Sequence, residues 1–227
     1  MVEINIWIIT TSLGAGAILL YVQANVFSLF LKSYRVTKAQ QLKNITYAFI
    51  LFISSTLSMM AINTYLSIFS SGLSIEELLL YRELSTTIYN IIFALGLFFL
   101  LISSTKSFTD TILYTPLILM PEMVYLQIPV EKGLLELFSI YGRIASDAVI
   151  IIEASFLLAL YLTYSEKEVI MGKLWNIGII LIMFSRAIDL LPMKPYSEMF
   201  MIFMDMVAFI LLYLMKKEAE IFTREER

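Results

Sequence analysis

Long apolar runs alternate with short polar gaps along almost the whole chain. Seven runs reach membrane-crossing length: about 4–31, 45–69, 84–104, 110–128, 134–164, 174–191 and 197–215. A bilayer-spanning helix takes about 20 mostly apolar residues. The pattern therefore predicts an all-α polytopic membrane protein, a seven-transmembrane-helix bundle, with residues 1–227 as one transmembrane domain. The first run is too long for a signal-peptide core and follows Glu3 rather than a basic stretch, so it reads as retained. The third run continues a helix that begins earlier, at Ser74. Ser74 and Glu77 have the Ser-x-x-Glu spacing of a capping box, which satisfies free N–H groups at a helix start. Pro116 and Pro121 each remove a backbone donor from the fourth run and predict a kink there. Pro192 and Pro195 close the sixth run, and the seventh leads into the charged tail 216–227.

Basic residues in the gaps predict the orientation. Lys32, Arg35, Lys38, Lys43, Lys106, Lys167, Lys173, Lys216, Lys217, Arg224 and Arg227 fall on one side, and Arg82, Lys132 and Lys194 on the other. That asymmetry puts the N-terminus outside and the C-terminus in the cytoplasm. No fixed-period repeat is visible. Charges crowd into runs five to seven and nearly avoid runs one to three, unlike the matching halves of an inverted-repeat transporter.

Composition narrows the chemistry. Of 227 residues, 59% are hydrophobic and 15% charged, which excludes a disordered chain and an ordinary soluble core. The chain has no cysteine and no histidine. Disulfides, thiolate or imidazole metal sites and bis-histidine haem ligation are thereby excluded. No cofactor is expected. The missing Cys and His, with abundant Ile, Leu and Met, are archaeal- or thermophile-like.

Seven charged side chains fall inside the apolar runs beyond their first three residues: Glu122, Arg143, Asp147, Glu153, Arg186, Asp189 and Asp205. Each costs about 2.5–3.5 kcal/mol at a helix centre, so each should face the bundle interior or a wet cavity. Most fall in one layer between mid-membrane and the outer face. Arg143 and Asp147 are four apart and Arg186 and Asp189 three apart, spacings that allow pairing within one helix. Two guanidiniums cannot neutralise five acids. Asp205 and Glu122 are the expected surplus, forming a protonatable or cation-binding site. Asn63 and Asn90 are expected to line the same layer. Gln23 and Asn25 read as interhelical hydrogen-bonding groups, Gly14 and Gly16 as close-packing positions, and Trp7 and Trp175 as interfacial anchors.

Met204-Asp205-Met206-Val207-Ala208-Phe209 resembles the last helix of microbial opsins, where a lysine four residues after the aspartate binds retinal. Phe209 holds that position here, and no run contains a lysine, so no retinal Schiff base can form. Asp189 and Asp205 lack the glycine-rich context of intramembrane aspartyl proteases, and no enzyme activity is expected. The expectation is a transport or translocation component in the cell membrane: a transporter, a channel, or the membrane subunit of an import or export machine. Its partners would be the lipid bilayer and other membrane or cytoplasmic subunits, since no phosphate-binding glycine loop is present. Nucleic acid as a cargo finds no basic pore lining to support it. The alternative is a seven-helix sensor that binds a ligand in an outer polar pocket and signals through a partner.

Overall fold

A computed structural model describes residues 2–69, 72–104, 134–164, 170–190 and 196–225. Among the described residues there are six α-helices and no strand: α1 (Val2–Thr37), α2 (Gln40–Phe69), α3 (Ile75–Ser104), α4 (Leu134–Tyr164), α5 (Ile170–Asp189) and α6 (Tyr196–Glu225). Among the described residues, three segments are long and apolar enough to cross a membrane: Leu13–Thr37, Gln40–Phe69 and Leu80–Ser103. The fourth apolar run, 110–128, and Glu122 with it, lie outside the described residues.

Helix ends follow local chemistry. Lys38 ends α1 in the left-handed region (φ 55), with its N–H donating to Tyr34 O at 2.8 Å. This is the usual way to satisfy a terminal carbonyl. Only Lys38 and Ala39 separate α1 from α2, so the two pack as an antiparallel hairpin. The capping box at α3 forms as its spacing predicts. Ser74 N–H donates to Glu77 Oε2 at 2.8 Å, and Glu77 N–H donates to Ser74 Oγ at 3.2 Å. The Ser74 backbone bond, with help from its hydroxyl, holds the Glu77 carboxyl below its ordinary range. α6 runs past the apolar stretch to Glu225, because Lys, Glu and Ala favour helix and no Pro or Gly intervenes.

Each helix packs on its sequence neighbours, and α6 packs back on α1, which closes a ring. Inward stripes recur at three- and four-residue steps. On α2 they are Phe49, Phe52, Ser55, Thr56, Met59, Asn63 and Leu66. On α5 they are Trp175, Ile179, Ile182, Arg186 and Asp189. Trp175 is therefore a core residue rather than an interfacial anchor, because it shares the inward face of α5. Leu57, Ile180, Phe184 and Phe203 face outward, which suits hydrocarbon.

Aromatic rings from α1, α2, α3 and α6 pack together in the core. Phe52 lies 4.7 Å from Phe93 and 5.2 Å from Phe209, centroid to centroid, and Phe49 touches Phe30, Phe52 and Phe209. Gly96 makes room for this stack: a Cβ there would meet the Phe52 ring at 2.5 Å. A Cβ at Gly16 would lie 3.1 Å from the Met60 side chain, as expected of a close-packing position. Gly14 does not, since it is exposed with nothing near its Cβ position.

Candidate functional site

Charged and polar side chains of α3, α4, α5 and α6 meet inside the bundle. Two glycines bring the helices close enough. Gly142 on α4 sits where a Cβ would lie 3.0 Å from Thr87 on α3, beside Arg143. Gly178 on α5 sits where a Cβ would lie 3.4 Å from the Ala208 carbonyl on α6, two turns before Arg186.

The centre is Asp205, fully buried on α6. Its Oδ2 accepts from Arg186 Nη2 at 2.6 Å and from Tyr89 Oη at 2.7 Å. Ser185 Oγ lies 3.1 Å from Asp205 Oδ1 and 2.7 Å from the Ile182 carbonyl, with one hydrogen serving both. The Arg186 guanidinium also lies over the rings of Tyr89 and Phe93, at 5.3 and 4.9 Å from their centroids. Ring faces stabilise a desolvated cation by about 2 kcal/mol. The aromatic stack thus ends directly against the charged layer.

A second group lies between α3, α4 and α5. Arg143 Nε is 3.2 Å from Glu83 Oε2, an ion pair without hydrogen-bond alignment. Arg143 Nη1 is 3.9 Å from Asp189 Oδ1. Asn90 Nδ2 donates to Asp147 Oδ1 at 2.7 Å. Asp147, Asp189 and Asn90 are all fully buried.

This geometry corrects the expected pairing. Neither Arg143–Asp147 nor Arg186–Asp189 forms; each arginine reaches across to another helix. Side chains on a helix tilt toward its N-terminus. An arginine that precedes its acid therefore leans away from it, and a partner on a neighbouring helix takes its place. Asp205 is not surplus either, since it is the counter-ion of Arg186. Glu153 is buried on α4, but about 9 Å further along the axis than Asp147 and about 120° around it. Asn90 joins the layer, and Asn63 is buried on α2. Gln23 does make an interhelical bond, accepting from Thr56 Oγ1 at 2.9 Å, while Asn25 bonds back to its own helix at Tyr21 O.

No protein family, characterised protein or solved structure matches the chain. Function is therefore inferred from the site itself.

Sequence reasoning misses Glu83, Tyr89 and Ser185. Along the chain Glu83 falls in the approach to the third apolar run rather than in the layer. A signal is present all the same: Glu83 and Asn90 are seven residues apart, two turns, and so share a helix face. Tyr89 has none, because a tyrosine in an apolar run reads as packing. Among the described residues, no group of acids is arranged to hold a metal ion.

Proposed function

We propose that the chain is a seven-span membrane protein of the cell membrane, with its N-terminus outside and C-terminus in the cytoplasm. It acts as a transporter, a channel, or the membrane subunit of an import or export machine. The observation that carries this reading is the single buried layer of ionisable side chains drawn from four helices. Each buried charge costs several kcal/mol, and a bundle held together only for strength does as well with apolar residues. A layer that exchanges ions has a reason to keep them. The aromatic stack against this layer is the closed gate in this scheme.

Proteoliposomes carrying the purified chain are expected to dissipate an imposed proton or alkali-cation gradient faster than protein-free liposomes. Equal rates with folded protein, in the presence of any subunits that co-purify, would remove the transport reading. The stack also favours a second reading, since a sensor keeps such a seal permanently shut. Saturable binding of a small ligand without flux would select that sensor.

The orientation has its own test. The chain carries no cysteine, so labelling has no background. Val36, 85% exposed at the end of α1, and Gly72, before α3, are suitable sites. In whole cells an impermeant maleimide is expected to label Gly72→Cys and spare Val36→Cys. The opposite pattern would invert the topology.

A further inference from the structure

Two carboxyl groups of this layer remain once its closer ion pairs are drawn. Arg186 is engaged by Asp205 and Arg143 by Glu83. Asp147 and Asp189 are left, each 0% exposed. Asp147 Oδ2 has no hydrogen-bond donor, and neither oxygen of Asp189 has one. The 3.9 Å approach of Arg143 to Asp189 is too long for a hydrogen bond. Arg143 marks where the two meet: it lies one turn before Asp147 on α4, and its Nη1 approaches Asp189 on α5, whose side chain interacts with that of Asp147.

Ionised, both groups are acceptors only, and their contact is pure repulsion in a place that water does not screen. One proton between them turns the same contact into an O–H···O⁻ bond, the strongest kind a carboxyl can make. The surroundings agree with a single proton. Asn90 and Glu83 on α3, Arg143 on α4 and Arg186 on α5 surround the pair, and Asp205 on α6 lies behind Arg186. Two guanidiniums and four carboxylates would total −2, and one bound proton brings this to −1. A metal cation is a poorer occupant, because Arg143 and Arg186 repel it. A proton sits between the two oxygens and needs no further ligands.

We propose that Asp147 and Asp189 share one exchangeable proton and form the proton-binding site of this protein. Binding moves H⁺ from a hydronium ion to the pair and releases water; no other bond is made or broken. As the coupling site of a transport cycle the pair rests on the transport reading above. As a proton site it is tested without it.

The test is infrared spectroscopy of the full chain in lipid at neutral pH. A protonated carboxyl gives a carbonyl stretch distinct from carboxylate and amide bands, and the stretch shifts in D₂O. The wild type is expected to show one such band that both Asp147→Asn and Asp189→Asn abolish, because the new amide donates to the remaining carboxylate. Glu153→Gln is expected to retain the band. Spectra in which both aspartate variants keep every wild-type band would overturn the proposal. Should either variant fail to fold, wild-type protein with ¹³C-labelled aspartate decides. An isotope-shifted protonated-carboxyl band supports the pair, and its absence overturns it. A band without flux removes the transport reading and leaves the site; flux without the band does the reverse.

Discussion

Arg186→Ala is expected to lower the stability of the folded bundle by roughly 3–5 kcal/mol, the usual cost of leaving a buried charge without its partner. Arg186 and Asp205 are both fully buried and 2.6 Å apart. Without the guanidinium, Asp205 keeps only the Tyr89 and Ser185 hydroxyls, neither of which carries charge. Asp205→Asn is expected to destabilise too, since it strands the arginine instead. The informative variant removes the charged pair and its tyrosine, Arg186→Met with Asp205→Leu and Tyr89→Phe, and leaves Ser185 bonded to the Ile182 carbonyl. Apolar replacement of a complete buried pair is often neutral or stabilising, so this triple variant is expected to recover most of the loss. Retention of monodisperse protein after heating in detergent measures all three. An Arg186→Ala protein as heat-resistant as the wild type would mean that the pair contributes nothing. The triple variant also separates strength from function, because it should fold and yet lose any activity that depends on the layer.

The second large effect is expected at Phe52. Its ring contacts Phe49, Phe93 and Phe209, which come from three helices. Phe52→Ala should cost about 3–5 kcal/mol through lost contacts and the cavity left behind. Gly96→Ala should cost about 1–3 kcal/mol for the opposite reason, because its methyl meets the Phe52 ring and that ring is hemmed in on its other sides. The two changes are coupled. In the double variant the new methyl occupies part of the space that the ring vacates, so the combined loss should be clearly smaller than the sum. Simple additivity, read from the same thermal assay, would show that Gly96 and Phe52 do not meet.

The helices are legible in the amino-acid sequence for a physical reason. Hydrocarbon offers the backbone no hydrogen-bond partners, so a run of about 20 apolar residues must bond within itself as a helix. The apolar run 134–164 coincides with α4, and the capping box at Ser74 forms as its spacing requires. The end of α6 is less legible. Apolarity marks where lipid ends, and a helix of Lys, Glu and Ala can continue into water.

The inward placement of the charges is also determined by the sequence. Arg143, Asp147, Glu153, Arg186, Asp189 and Asp205 are all buried, as expected of charges set among apolar residues. Their pairing is not determined by it. Spacing along one helix offers Asp147 to Arg143 and Asp189 to Arg186. The tertiary structure gives Arg186 a partner on α6 and Arg143 a partner on α3. It joins Tyr89 to Asp205 across 116 residues and Asn90 to Asp147 across 57. Burial depends on each residue's own chemistry and its helix face, which sequence contains. A partner depends on which faces meet and at what height, and Gly142 and Gly178 set that only once the helices have packed.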